Sequence, residues 1–224
     1  MILKKYNIIN RKLVLHQIKM KDKDILFLPM AHLSEEKFYI ECKKAIDSLS
    51  NNGYYIFGEG IQYEGNLKGK TELYSQDTIY RKKIRKIIGV TISDAFEKKS
   101  MLKDIMERYK LVLQPTDMYC STKSKMNSCR VVDFTGQQLI ESYEQVKGEI
   151  VLSECDKNTP LEQEYKCTEK IESSDRKFFM NDIVVDKRDQ YISKEVKQSN
   201  HKKILLIYGE AHYKGIKKLL EDTK

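Results

Sequence analysis

Short apolar runs alternating with amphipathic helical patterns constrain this chain more than any other feature. Ile25 to Pro29 (ILFLP) has the length and composition of a buried strand. Ser34 supplies an N-cap after it, and Glu35 and Glu36 suit the positive end of a helix. Phe38, Cys42, Ala45, Ile46 and Leu49 then recur at i, i+4, i+7, i+8 and i+11, which is one apolar helix face. Asn51-Asn52-Gly53 ends that helix, and Tyr54 to Phe57 (YYIF) is the next strand. A strand–helix–strand unit of this size predicts two parallel strands.

The pattern continues. Ser93 or Asp94 opens a helix with Leu102, Ile105, Met106 and Tyr109 on one face, and Leu111 to Leu113 is a strand. Val131-Val132 is a further strand, followed by helical GQQLIESYEQV. Arg188 to Ser199 reads as a helix, Ile204 to Tyr208 (ILLIY) as a buried strand, and Ile216, Leu219 and Leu220 mark a last helix. Leu13 to Ile18 adds an edge strand. The expectation is one α/β domain over residues 1–224, with a mainly parallel sheet flanked by helices. Residues 149–174 interrupt it. They are polar and acidic, and fit either a solvated surface connection or a cover over a site.

Composition excludes other classes. An apolar fraction of 40% is too high for a disordered chain. No stretch approaches the ~20 apolar residues of a membrane span. The five cysteines include no Cys-x-x-Cys, and their number is odd, which predicts a reduced, cytoplasmic chain without a cysteine zinc site. The net charge of +8 is unevenly placed. Arg81 to Lys86 lie among Ile79, Ile84, Ile87 and Ile88, so residues 79–88 form an amphipathic helix with a basic outer face. Such a face can meet nucleic-acid phosphate but is more often simply solvated. No aromatics interleave with it to stack bases, so nucleic acid ranks low as a partner. Nothing in the pattern fixes an oligomeric state.

In open parallel sheets, ligands bind beyond the carboxyl ends of the strands. Pro29-Met30-Ala31-His32 follows the first strand, Gly58-Glu59-Gly60 the second, and Gly209-Glu210-Ala211-His212 the last. His32, Glu59 and His212 therefore fall on one rim. Gln114, Asp117 and Asp133 follow other strand candidates and share it. Two imidazoles and a carboxylate suffice to hold Zn, Mn or Fe with an open position for water. Without a metal, the same groups suit acid–base work. A strand-end histidine is, however, more often a hydrogen-bonded structural residue than a ligand. Glu210 and Asp133 are candidate cofactor-binding carboxylates. Arg188, at a helix start, can pair with Glu59, a substrate carboxylate or a neighbouring aspartate. Cys42 reads as packing, and His16 and His201 as surface residues.

These segments in order, LPMAHLSEEKFYIECKKAIDSLSNNGYYIFGEG, then RDQYISKEV, then ILLIYGEAHYKGIKKLL, resemble the TraB/PrgY/GumN proteins and the Tiki domain. Those belong to a wider superfamily with ChaN-like haem-binding lipoproteins and erythromycin esterases. The resemblance implies a parallel-rich α/β domain with two Gly-x-x-His motifs and a glutamate at one site. It implies a metal-dependent, peptidase-like hydrolase acting on a peptide or small molecule with a divalent metal (Zn, Mn, Co or Fe). His32, Glu59 and His212 match the motif positions, and Arg188 the motif arginine. Pro29 stands where the first motif has glycine. The alternative on the same fold is a binding protein that holds haem, a metal or a peptide without turnover.

Overall fold

The structure, a computed structural model, describes residues 8–61, 71–89, 106–115, 118, 128–161, 163–169 and 171–221, with the backbone only for 71–76. The fold is α/β, with a mainly parallel five-stranded sheet flanked by helices. The predicted helix start at Ser93 or Asp94, Leu102, Ile105 and Asp117 lie outside the described residues. No helix among the described residues is long and apolar enough to cross a membrane. The chain divides into two compact units, residues 1–60, 100–132 and 189–224 in the first and 61–99 and 133–188 in the second.

The first unit holds the sheet. Its strands are β1 (His16–Met20), β2 (Lys23–Met30), β4 (Tyr55–Gly58), β6 (Cys129–Val131) and β7 (Lys203–Gly209), in the order β1-β2-β7-β4-β6. Only the β1–β2 pair is antiparallel. Strands β2 and β4 run the same way, as the strand–helix–strand pattern predicts, but β7 lies between them. Two short strands, β3 (Leu33–Glu35) and β5 (Leu111–Leu113), pair separately. Strand alternation sends Ile25, Phe27, Phe57, Ile204, Leu206 and Tyr208 to one face. There they meet Ile192 and Val196 of helix α6 (Arg188–Gln198) and Ile216 and Leu220 of α7 (Tyr213–Glu221). Leu28, Met30, Ile56, Leu205 and Ile207 go to the other face, against Phe38, Tyr39, Cys42 and Ile46 of α1 (Glu36–Asn51). A central strand buried on both faces explains the unbroken ILLIY run.

Local detail differs from the sequence reading at Ser34. It lies buried in β3, where its hydroxyl donates to the Ile8 carbonyl, and Glu35 takes the N-cap position without a side-chain cap. The helix ends as expected, with Asn52 as C-cap and Gly53 at φ 83°. Pro29 fits because β1 pairs no further than Phe27, so no ladder bond to β1 is due at position 29.

The second unit is helical: α2 (Thr71–Ile88), α3 (Gly136–Lys147), α4 (Glu154–Asn158), α5 (Ser173–Phe178) and a π-helical segment (Phe179–Lys187). Thr135 with Gln138 and Ser153 with Asp156 form capping boxes for α3 and α4. Ile87, Leu139, Ile140, Tyr143, Ile150, Phe179 and Ile183 form its core.

Two expectations are corrected here. The basic face of residues 79–88 does not point wholly outward. Arg85 is 2% exposed and Lys86 8%, whereas Ile79 is exposed. Arg85 donates to the carbonyls of Pro160 (2.6 Å) and Thr159 (2.7 Å) and stacks on Tyr165. Lys86 binds the fully buried Asp156 at 2.7 Å. The opposite charges separated along the sequence thus meet as internal pairs, and residues 153–165 are fastened onto α2. The cysteines are not all reduced. Cys155 and Cys167 form a disulfide, and Cys129 is disulfide-bonded as well. Cys42 is a free, buried thiol that burial pushes up to about 12, which agrees with a packing role.

Candidate functional site

Strands β2, β4 and β7 are parallel, so their carboxyl ends share one rim of the first unit. Helix α1, after β2, packs on one face of the sheet, and α7, after β7, packs on the other. The neighbouring strands β2 and β7 therefore form a topological switch point, where open α/β sheets bind ligands.

Glu59 follows β4 directly. Its N–H donates to the Ile207 carbonyl at 2.9 Å, and its Oε2 accepts the Gly209 N–H at 2.6 Å. These two bonds fold its carboxylate over the end of β7. The chain then makes a 3₁₀ turn, Glu210–His212, before α7. That turn buries His212, whose Nδ1 lies 2.6 Å from Asp189 Oδ1. Asp189 is in the first turn of α6, where the helix dipole favours a carboxylate. Nε2 of His212 lies 3.6 Å from Glu59 Oε1, beyond hydrogen-bonding range. The result is a line of three groups, Asp189–His212–Glu59.

Gly215 is part of this arrangement. A Cβ at that position would lie 1.9 Å from Asp189 Oδ2. Only glycine lets α7 approach the buried carboxylate that orients the histidine.

The chemistry follows from donor and acceptor counts. A carboxylate only accepts, so Nδ1 donates to Asp189, and a neutral His212 presents its Nε2 lone pair to Glu59. Two acceptors facing each other call for a proton or a cation between them. An imidazole nitrogen and a carboxylate oxygen are both ordinary zinc ligands, so these two atoms would suit such an ion. A carboxylate on the far nitrogen is also the usual outer support of a metal-bound histidine. His212 and Glu59 thus fit two positions of a metal shell.

The third expected ligand is not brought to them. His32 is exposed at the end of β2, and its ring has no hydrogen bond or ion pair among the described residues. Its carbonyl accepts from the Gln114 N–H at 3.0 Å. Nearby, the Tyr39 hydroxyl donates to the Ala31 carbonyl at 2.8 Å, and burial raises its pKa, so it stays protonated. Among the described residues, no group of three or more His, Cys, Asp and Glu side chains is placed to hold a metal.

Arg188 and Asp133, both singled out from the sequence, pair with each other in the second unit. Arg188 Nε and Nη2 each lie 2.6 Å from an Asp133 oxygen, and Nη1 donates to the Val184 carbonyl at 3.2 Å. Both side chains are buried, so the pair with Asp133 is an internal one and not a surface contact. Glu210 is exposed and pairs with Arg11 at 3.0 Å.

Sequence reasoning missed Asp189, Gly215 and Arg11. Asp189 was half visible, since it follows the arginine that attracted attention. A glycine inside the last helix, at a cost of about 1 kcal/mol relative to alanine, signals a packing reason. Comparison with protein-family models, curated proteins and solved structures gave no match.

Proposed function

We propose that the chain is a metal-dependent, peptidase-like hydrolase of the kind the TraB/Tiki resemblance implies. Its centre would be Glu59 and His212, with Asp189 as the residue that positions the imidazole. The observation that carries this reading is His212 set between two carboxylates, 2.6 Å from one and 3.6 Å from the other. A divalent ion (Zn, Mn, Co or Fe) held by His212 Nε2 and Glu59 Oε1 would polarise a scissile carbonyl and make hydroxide available near neutral pH. Asp189 keeps the proton on Nδ1 and so aims Nε2 at the rim. The Gly209 N–H fixes the Glu59 carboxylate by one oxygen and leaves the other directed at His212. The β2–β7 switch point is where substrate would enter. The disulfides suit an oxidising compartment better than the cytoplasm that the cysteine count suggested.

Metal titration of the purified chain tests this reading. His212→Ala should abolish binding of one equivalent of Zn²⁺ or Mn²⁺, and Asp189→Asn should weaken it about 10–100-fold. Gly215→Ala should act like Asp189→Asn, because the added methyl displaces the carboxylate from the histidine, and it should cost about 1–3 kcal/mol of stability. Undiminished metal binding in His212→Ala would sink the proposal. The exposed position of His32 favours a second reading, a binding protein without turnover. That reading predicts bound metal or a haem spectrum that depends on His212, with no hydrolysis of any peptide library.

A further inference from the structure

We infer that Arg11 is a carboxylate-recognition residue of the rim, and that Glu210 occupies it as an internal stand-in for a substrate carboxylate. Residues 8–11 run beside the short strand β3. Ser34 Oγ donates to the Ile8 carbonyl at 3.2 Å, and the Asn10 N–H donates to Glu35 Oε2. This places the Arg11 guanidinium at the switch point. Its Nη2 donates to the Pro29 carbonyl of β2 at 3.3 Å and to Glu210 Oε2 at 3.0 Å. Pro29 lies three residues before His32, and Glu210 lies on the same turn as His212.

The two partners are unequally held. The Arg11 side chain is 8% exposed, lies over the Phe38 ring, and has a buried Nε without a partner among the described residues. The Glu210 side chain is 61% exposed and meets Arg11 through one oxygen. A guanidinium is built to grip a carboxylate through two parallel N–H bonds, and here that capacity is only half used. An exposed carboxylate held by a single contact is easily exchanged, since such surface pairs contribute little. A ligand carboxylate can therefore displace Glu210 into water and take the arginine. For a peptidase, the ligand would be a short peptide with a free C-terminal carboxylate.

The inference rests on the proposed rim site, so its test reads binding rather than turnover. N-acetylglycine, N-acetylglycinamide and inorganic phosphate are titrated into the full chain and followed by NMR. The acid should bind at least about tenfold more tightly than the amide or phosphate, because only the carboxylate matches the planar fork. Glu210→Gln should tighten binding of the acid several-fold, and Arg11→Lys should weaken it about tenfold. Binding is read with no metal added, which separates this inference from the hydrolase reading. Equal binding of acid and amide, phosphate binding as tight as the acid, or no gain in Glu210→Gln overturns it. Glu210 is exposed, so that variant keeps the test decisive even if Arg11→Lys proves unstable.

Discussion

Each unit of the molecule holds carboxylates against a basic side chain, but the two arrangements differ in what faces the carboxylate. In the second unit, Asp156 is fully buried. Its Oδ2 accepts from Lys86 (2.7 Å) and from the Ser153 N–H (2.9 Å) and hydroxyl (2.8 Å), and its Oδ1 accepts from Tyr165 at 2.6 Å. In the first unit, Glu59 has one oxygen on a backbone N–H and the other 3.6 Å from an imidazole nitrogen. A carboxylate with its acceptor sites filled by fixed donors has nothing left to offer a ligand. A carboxylate that faces an imidazole nitrogen at 3.6 Å has a neighbour that can itself take up or release a proton near neutral pH. Burial of charge alone therefore does not mark a site; a titratable partner at the carboxyl ends of parallel strands does.

That contrast can be broken most forcefully at Lys86. Lys86→Met leaves Asp156 buried without its cation, which should cost about 3–5 kcal/mol. Urea unfolding followed by circular dichroism would measure it. Metal binding through His212 should be untouched, and a variant that lost metal binding without losing stability would reverse the roles assigned to the two clusters. Removal of the Cys155–Cys167 disulfide by substitution is the next test. The Cys155–Cys167 bond closes a segment of sequence separation 12 that contains Asp156 and Tyr165. Loop-closure entropy gives about 3 kcal/mol for a loop of that size. Cys155→Ser together with Cys167→Ser should lower stability by that order and open this segment to limited proteolysis, whereas Cys42, a buried thiol, should stay unreactive to alkylation.

How much of this was legible follows the range of each interaction along the chain. The strands were readable because runs such as ILLIY record burial on both faces locally. His212 and Glu59 were readable because strand ends on a parallel sheet must share a rim. Asp189 was not, since its partner lies 23 residues away and only folding shows which neighbour of the histidine is an acceptor. The disulfide was missed for the same reason: Cys155 and Cys167 carry no spacing signal, and connectivity is set by the path of the chain. The buried Arg85 and Lys86 show the limit of periodicity. A basic helix face reads as solvent-facing until a distant acidic segment is placed against it. The π-helical segment Phe179–Lys187 left no pattern at all, as its register matches neither the helical nor the strand period.

The smallest expected effect concerns acid. Burial alone would raise the pKa of Asp156, but the hydrogen bonds from Lys86, Tyr165 and Ser153 outweigh it and hold the group at about 2. An unfolded aspartate titrates near ~3.9. The folded state thus binds the proton less readily than the unfolded state, and the stabilisation is fully present above that unfolded value. It is lost as pH falls from about 4 through about 2, and amounts to roughly 2 kcal/mol. Stability measured between pH 6 and pH 2 should fall along this limb. Lys86 is the foremost of the groups that lower the pKa, so in Lys86→Met the contribution of Asp156 to the limb should flatten. An acid limb of equal depth in both proteins would mean that other carboxylates carry it and that the Asp156 cluster is not the acid-sensitive fastening of the second unit.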